Sequence, residues 1–592
     1  MKVPLSPATR SFALLLLLGL LTGLIEGGYL TLQQHVLHQL TFASPDALWM
    51  APVAYVLLFG VLAVPVALLA LLAPRWCTTR VVLGTGITVL AFSLLSLWFG
   101  LRLGQLALGL LSLGIGVQLG RALAPLVDRH QRRVLPLTGL LLCLLGGVAL
   151  AMVARDGWRS ASGAESATTA SADSPNVLLI ILDTVRAASL GLYGYERPTS
   201  PRLEEFAKGG VVFDSAYSTA PWTLPSHGSM FTGRYHQDLS TDWLKPLDGA
   251  PRTLAEAFAS SGYATGGFIG NLFYTTRESG LARGFATFRD YKRTPLQLFL
   301  NATLFGTIRD WSLGAKRGKR DNDRKEGPRV TAEFLEWLDQ RRPARFFVFL
   351  NYFDAHLPLP TVKRGDSWDS DRPKVDRYDA GIARTDAYLG ALLDSLAARG
   401  VLEHTLVIIA SDHGELVGEH DLGGHGNSLY LDALHVPLVV RGPGVPAGRR
   451  VGTPVSLRDL AETVRQAAGL SGVPPFPGTS LQPLWNAQPA GPLSPLLAQL
   501  IKGINTPPRE PVTLGTMTSL IVQGQHYVLG GAGKEELFDL GSDPTEDHNL
   551  APETGSQGVL DAIRDSLRAM KRSGWGGAPD VPSRGAPGAP GS

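Results

Sequence analysis

Two kinds of apolar run predict an α/β sheet protein preceded by an all-α membrane region. The first 155 residues hold five apolar stretches long enough to cross a bilayer, near 12–30, 49–72, 81–100, 104–123 and 134–153. Farther on, Val177–Leu182 and Thr405–Ala410 are continuous apolar runs of strand length, the second opened by a threonine, and each is followed within two residues by an aspartate. Such runs suit strands covered on both faces. Strand and helix signals alternate from 177 to 440, as in a layered α/β fold.

The elements follow in order. Lys2 and Arg10 precede the first span, Arg75 and Arg80 flank the second loop, and Arg121, Arg129, Arg132 and Arg133 lie in the fourth. Residues 31–48 carry no Lys or Arg, and the third loop has Arg102 alone. This asymmetry predicts a cytoplasmic amino terminus in a multi-pass inner membrane protein. With five spans, everything after residue 155 then lies outside the cytoplasm. Glu26 sits inside the first span, where a charge is costly. It either serves a function there or reaches the interface at the span's end. The two cysteines, Cys77 and Cys143, lie in or beside apolar segments and indicate no disulfide framework.

Residues 156–174, rich in Ser, Ala, Thr and Gly, read as a flexible tether, and 572–592, rich in Gly and Pro, as a disordered tail. Between them, 175–484 is the expected catalytic domain and 485–571 a smaller carboxyl-terminal subdomain. Thr253-Leu-Ala-Glu256 is a capping box opening a helix that Gly262 stops. Ile382, Leu389, Leu393 and Leu396 share one helix face, ended by Gly400. The basic run Lys316–Arg320, with Arg324 and Lys325, follows an apolar stretch from Leu296 to Leu304. It reads as a solvated insertion or as a surface for anionic lipid. The formal net charge of +3 is too small to mark a nucleic-acid partner.

The chemistry gathers around Ala220-Pro-Trp-Thr-Leu-Pro-Ser-His-Gly-Ser-Met-Phe-Thr-Gly233. Pro225 favours a helix starting near Leu224 or Pro225, which puts Thr223 at its mouth. There Thr223 is either an ordinary cap or a nucleophile facing an anion held by free N–H groups and the helix dipole. In open α/β sheets, ligands bind beyond the carboxyl ends of the strands. Asp183, Asp412 and His413 are expected to converge there with Thr223. Two carboxylates, an imidazole and a hydroxyl suit a divalent cation, and coordination activates a hydroxyl that is otherwise a poor nucleophile.

Ordered motifs over roughly 175–551 resemble the sulfatase branch of the alkaline phosphatase superfamily. They are Asp183 with Arg186, Gly191-Leu-Tyr-Gly194, Arg197-Pro-Thr-Ser-Pro201 and the Thr223 segment. Asn351-Tyr-Phe-Asp-Ala-His-Leu-Pro358, Ser411-Asp-His-Gly-Glu415, His425-Gly426 and Glu536–Pro544 follow. The resemblance implies an alkaline-phosphatase-like sandwich, a central mixed sheet flanked by helices with a small carboxyl-terminal subdomain. It also implies a metal-dependent hydrolase or transferase using Mn, Zn or Ca. The departures are informative. The nucleophile position, Cys or Ser in sulfatases that mature it to formylglycine, is Thr223; the family's following Arg is His227; its second paired aspartate is Thr184. A Thr nucleophile resembles lipoteichoic acid synthases and phosphoethanolamine transferases, which implies phosphate-type chemistry.

The expected metal ligands are therefore Asp183, Thr223, Asp412 and His413. His356 and His425 are expected either to stabilise the leaving group or, together with Asp354, to bind a second metal. His227 is expected at an oxyanion and Arg186 at the substrate or one step behind it, while His236, His420 and His435 read as structural. Glu415 is expected to hold His413 or to solvate a loop. The leading function is cleavage or transfer of an envelope lipid or glycan ester through a covalent Thr223 intermediate. A sulfatase without formylglycine and a catalytically silent envelope-binding protein are the alternatives.

Overall fold

The computed structural model describes residues 6–41, 46–99, 103–162, 174–291, 302–312, 324–356, 373–488, 495–503 and 506–572. They form two compact units, residues 1–163 with 291–322 and residues 164–290 with 323–592.

The first unit holds α1 (Pro7–His35), α2 (Ala47–Leu72), α3 (Thr79–Phe99) and α4 (Gln105–Ser162). All four are long and apolar enough to cross a membrane, judged by length and composition. The count is four rather than the expected five, because the last two spans lie within one 58-residue helix. The reason is chemical. Residues 121–138 are charged but contain no glycine, and Arg, Leu, Ala and Gln are good helix formers. Charge there marks where the chain leaves an apolar layer, not where the helix ends; Pro125 and Pro136 both lie inside it. Such a helix is about 87 Å long, against a hydrocarbon core of about 30 Å. The parity behind the predicted topology is therefore lost. The helix also runs through 156–162, the first part of the expected tether, whose remainder to 173 is outside the described residues.

Glu26 is turned into the helical unit. It is fully buried and accepts four hydrogen bonds. Tyr55 Oη of α2 and Ser93 Oγ of α3 donate to one oxygen at 2.7 and 2.9 Å. Thr303 donates to the other, from its backbone N–H at 2.9 Å and its hydroxyl at 3.1 Å. Thr303 opens a helix, Thr303–Ser312, and Leu304 N–H bonds Tyr55 Oη at 3.2 Å. Glu26 and Tyr55 thus take up free N–H groups of a helix amino terminus, groups that no turn within the helix can satisfy. Ala302 and Leu304 are buried among Leu14, Leu18, Phe59 and Ile87. The apolar stretch before the basic run is, in its described part, an arm packed into the helical unit. The run 316–320 lies outside the described residues, while Lys325 is buried and bonds Glu333 Oε2 at 2.6 Å rather than solvating an insertion.

The second unit is built on a sheet of β1 (Asn176–Leu182), β2 (Val211–Phe213), β4 (Ala264–Ile269), β5 (Thr287–Arg289), β6 (Phe346–Tyr352), β7 (Thr405–Ala410), β9 (Leu438–Arg441) and β10 (Arg449–Val451). β3 (Ala216–Tyr217), β8 (His435–Val436) and β11 (Val455–Ser456) form a small side sheet. The large sheet has the order β10-β2-β9-β7-β1-β6-β4-β5. β7, β1, β6, β4 and β5 are mutually parallel, and β9 is antiparallel to β7 and β2, giving the expected mixed sheet. Every residue of β1, β6 and β7 is buried, which is why their sequences do not alternate. The capping box at Thr253 and Glu256 is formed, and Gly262 (φ 81°) follows the helix end. The helix Pro373–Ala398 lays Tyr378, Ile382, Leu389, Leu393 and Leu396 into the core, with Gly400 just beyond it. Past residue 485 come a four-stranded antiparallel sheet, β12 (Leu496–Leu500) to β15 (Glu535–Asp539), and the helix Gln557–Arg572. The tail after 572 is outside the described residues.

Glu26→Leu leaves the donors of Thr303 unmet in an apolar setting, at about 1–3 kcal/mol. In membranes, with Cys77 and Cys143 replaced by Ser, maleimide labelling of Gly306→Cys is expected to rise at least about fivefold in that background. Glu26→Gln, which keeps an acceptor oxygen, should label close to the wild-type rate.

Candidate metal centre

The parallel register sets two aspartates side by side. Ile181 of β1 pairs with Ala410 of β7 and with Asn351 of β6, so the residues after them leave the sheet at one edge. Asp183 N–H extends the ladder by one bond, to Tyr352 O at 2.9 Å. The chain then turns through Thr184, whose φ of 64° is a left-handed conformation that β-branched residues seldom adopt. Neighbours hold it there. Tyr378 Oη donates to Thr184 O at 2.5 Å, and Thr184 N–H donates to Asp412 Oδ1 at 3.2 Å. Ser411 Oγ accepts Val185 N–H at 3.0 Å and donates to His413 O at 2.7 Å. At Gly414 any side chain would collide with the Asp432 carbonyl, 2.0 Å from a built Cβ.

The nucleophile candidate arrives on the helix Thr223–Thr232, with Trp222 at the cap position in extended backbone. Thr223 is the first helical residue, one position earlier than the sequence suggests, because Trp222 already supplies the non-helical entry. Ser226 Oγ donates to Asp412 O at 2.7 Å and ties this helix to the β7 loop. Gly233 (φ 69°) ends it. Thr223 Oγ1 lies 3.4 Å from His413 Nε2 and accepts from Asn271 Nδ2 at 3.4 Å.

The donor set fits a divalent cation. One oxygen of Asp183 accepts two amides, Asn271 Nδ2 at 3.0 Å and Asn351 Nδ2 at 3.2 Å. Its other oxygen, Oδ1, has no hydrogen-bond donor among the described residues. Asp412 repeats the pattern. Its Oδ1 takes the N–H groups of Thr184 and His413, while Oδ2 is buried without a donor. His413 Nδ1 lies 2.9 Å from Gly414 O, which fixes the hydrogen on that nitrogen and turns the Nε2 lone pair toward the carboxylates. One ligating atom from each of Asp183, Asp412 and His413 lies within 4.8 Å of the others, and all three residues are fully buried. Two carboxylate oxygens without donors, this close in a dry site, call for a positive charge between them. Without one, burial pushes Asp183 up to about 6. Burial, with Asp183 adding to it, pushes Asp412 well above the usual carboxylate range. Burial, with His425 adding to it, pulls His413 well below the imidazole range and so keeps it a neutral ligand.

A row of imidazoles borders this cluster. The rings of His413 and His425 are 4.5 Å apart, and those of His425 and His356 are 5.0 Å apart. Glu415 holds His425 rather than His413, with Oε2 2.8 Å from Nδ1. Burial lowers the pKa of His425, but the Glu415 carboxylate outweighs it and holds the ring above the usual imidazole range. His356 thus stands beside His425, while Asp354 turns away. Both Asp354 oxygens accept Gly327 N–H at the start of the helix Gly327–Arg341, at 3.1 and 2.9 Å.

Two further expected participants, His227 and Arg186, stand behind the cluster, Arg186 in the second of its two expected places. His227 lies fully buried beneath the nucleophile, its Nδ1 2.8 Å from Thr223 O, and burial lowers its pKa to about 4. It is a neutral ring that steadies the first helical turn, not a cation at an oxyanion. The Arg186 guanidinium is committed to Asp432 and Glu419, each at 2.9 Å, to Ser189 Oγ and to Glu415 O. It braces the loop that carries Glu415 and stands one step behind His425. His236 and His435 each bond a backbone carbonyl at 2.8 Å, and His420 stacks on Tyr430. Asn271 was absent from the sequence reading, although its amide bridges Asp183 and Thr223. Its signal was weak. It follows β4, whose sequence Ala-Thr-Gly-Gly-Phe-Ile has neither clear alternation nor a fully apolar run.

Comparison with known proteins agrees with this geometry. The Sulfatase family profile matches residues 175–470, half of the chain. Arylsulfatase K of Bos taurus is 27% identical over 460 residues, covering 67% of this chain and 82% of its own length. The human Arylsulfatase K is also 27% identical, covering 66% and 81%. Among solved structures, a phosphonate monoester hydrolase of Agrobacterium radiobacter superposes with a TM-score of 0.54 at 22% identity, covering 67% of this chain and 96% of its own. A putative sulfatase from Bacteroides thetaiotaomicron does so with 0.54 at 18%, covering 68% and 93%. At such identities the structural likeness concerns the fold.

Stripping the metal should make stability pH-dependent in a defined direction. A raised Asp pKa means that the folded chain keeps protons the unfolded chain releases, so stability falls as pH rises from the ordinary aspartate range through about 6. The buried rings of His227 and His413, whose pKa values burial lowers, act in the opposite sense, so the test is a difference between two chains. In scanning calorimetry of chelator-treated protein, the Tm of Asp183→Asn relative to the unsubstituted chain is expected to be higher at pH 8 than at pH 5. Asp183→Asn should also lose bound metal by elemental analysis.

Proposed function

We propose a reaction from one premise: the chain belongs to the sulfatase family. It is a hydrolase-type enzyme, and it cleaves or transfers a phosphate-type ester through a covalent bond to Thr223. The observation that carries this reading is the Thr223 hydroxyl, 3.4 Å from His413 Nε2 beside two carboxylates whose outer oxygens have no donor. The fold family is metal-dependent, and Asp183, Asp412, His413 and Thr223 would hold Mn, Zn or Ca; when bound, the ion lowers the hydroxyl pKa and neutralises ester oxygens.

This chain's own groups do the rest. Asn271 orients the Thr223 oxygen, whose proton would pass to solvent when the ion is bound; that oxygen then forms a bond to phosphorus as the bond to the leaving alcohol breaks. His425, held charged by Glu415, gives its proton to the departing oxygen, with His356 beside it. Water or an acceptor alcohol then attacks phosphorus, gives up its proton to neutral His425, and frees Thr223. A threonine has one hydroxyl, so its ester is released by attack at the central atom alone. This favours phosphorus over sulfur. A sulfuric ester remains the second reading, supported by the family match and the arylsulfatase relatives. Residues 1–163 anchor the enzyme in a bilayer, and the resemblance to envelope phosphotransferases supports a catalytic unit outside the cytoplasm acting on an envelope lipid or glycan. With the amino terminus in the cytoplasm, such a placement requires an odd number of crossings.

With Mn or Zn supplied, chromogenic phosphodiester or phosphonate esters should turn over faster than aryl sulfates. Thr223→Ala should lose at least about a thousandfold, and Thr223→Ser should retain part of the rate. Intact mass should show a phosphoryl adduct that is absent from Thr223→Ala. Rapid sulfate turnover without an adduct would point to the second reading. A reporter that matures only outside the cytoplasm, fused after Arg572, should be active; an inactive one would place the catalytic unit inside.

A further inference from the structure

We propose that Trp222, Trp243 and Tyr274 form a binding wall for a ring carried by the leaving alcohol of the ester. This rests on the oxyanion-ester reading above and names a subsite within it. The indoles of Trp222 and Trp243 stack with centroids 4.2 Å apart and planes 9° apart. Tyr274 meets Trp222 edge-on at 5.0 Å.

The chain positions that carry the wall are those that carry the chemistry. Trp222 immediately precedes Thr223. Tyr274 follows Asn271 by three residues, and the two are locked together. Asn271 Oδ1 accepts the N–H groups of Phe273 and Tyr274, at 3.0 and 3.2 Å, while its Nδ2 donates to Asp183 and Thr223. One amide thus fixes the aromatic loop and the nucleophile together. Trp243 is held against the third element. Its ring edge lies 2.7 Å from a Cβ built on Gly426, the neighbour of His425, so that position admits no side chain. Gly503 allows an equally close approach, at 2.9 Å, and Trp243 Nε1 donates to Ile501 O at 2.8 Å.

Two further facts point to a ligand. Trp222 is buried, at 1% exposure, and backs the wall, while Trp243 and Tyr274 are half-buried and give it its accessible surface. The Trp222 indole N–H is buried and has no acceptor among the described residues. Buried donors are seldom left unpaired, and an ester or ring hydroxyl oxygen would satisfy this one. Aromatic rings offer a flat apolar face to an aryl group or to the C–H face of a pyranose, and an indole adds a donor at its edge.

The test uses calorimetric titration of the full-length chain in detergent, metal-loaded, with benzylphosphonate, cyclohexylmethylphosphonate and propylphosphonate. Wild type should bind the two ring compounds roughly three- to tenfold tighter than the propyl compound. Trp243→Ala should reduce that ratio to near one, and Trp243→Phe, which keeps a packed aromatic, should restore much of it. A benzyl-only preference would assign an aryl ring, and a preference shared with cyclohexylmethyl would fit a sugar ring. Equal affinity for ring and chain in wild type would overturn the wall while leaving the ester reading intact, as would a preference that survives both Trp243→Ala and Tyr274→Ala. If no phosphonate binds, the ester reading falls and the wall with it.

Discussion

The catalytic unit depends on one electrostatic constraint. Two carboxylates, Asp183 and Asp412, emerge side by side from the most deeply buried strands, in a place that water does not reach. Ionised and unpaired, such groups cost several kcal/mol each. The surrounding structure answers half of each charge. Asn271 and Asn351 serve the inner oxygen of Asp183, and two backbone N–H groups serve Asp412 Oδ1. The outer oxygens are left facing one another's neighbourhood, with a neutral imidazole and a hydroxyl beside them. The cluster is thus a stability problem for the bare chain and a site for a cation, for the same physical reason. The left-handed Thr184 belongs to this arrangement, since its N–H reaches Asp412 only by that turn.

Charge is graded across the site. Burial pulls the His413 pKa down, while one ring away the Glu415 carboxylate holds that of His425 above the usual imidazole range. Neighbouring imidazoles shifted in opposite directions suit different tasks, the lower one as a lone-pair ligand and the higher one as a group that holds a proton. Arg186, through Glu415 O and Glu419, sets the loop on which that difference rests.

Much of this was legible in the sequence. Val177–Leu182 and Thr405–Ala410 declared themselves as covered strands because nothing polar interrupts them, and the carboxyl-end rule then placed Asp183, Asp412 and His413 together. Thr223 was recognisable from the proline after it. Asn271 was not, because β4 opens with Ala-Thr-Gly-Gly, small residues whose strand state is imposed by β5 and β6 rather than by their own pattern. The role of His227 was also out of reach, since it turns on which neighbour occupies a ring nitrogen, and sequence spacing does not encode that; for Arg186 the sequence left two places open, and the ion pairs with Asp432 and Glu419 select the one behind His425. The span count failed for a related reason. Hydropathy reports where lipid contact is favourable, whereas helix termination is governed by backbone chemistry, and residues 121–138 contain no signal for it beyond two prolines the helix absorbs.

The arm at Thr303 has a practical corollary for anyone preparing this enzyme. A fragment trimmed of its first 163 residues would keep every strand of the large sheet. It would also keep Ala302, Leu304 and the bare amino end of the Thr303–Ser312 helix, all of them deprived of the pocket that shelters them. Greasy and polar at once, that orphaned segment would seek detergent, lipid or another copy of itself. Poor behaviour of a soluble fragment would then reflect a missing receptor for ten residues, with the sheet itself intact.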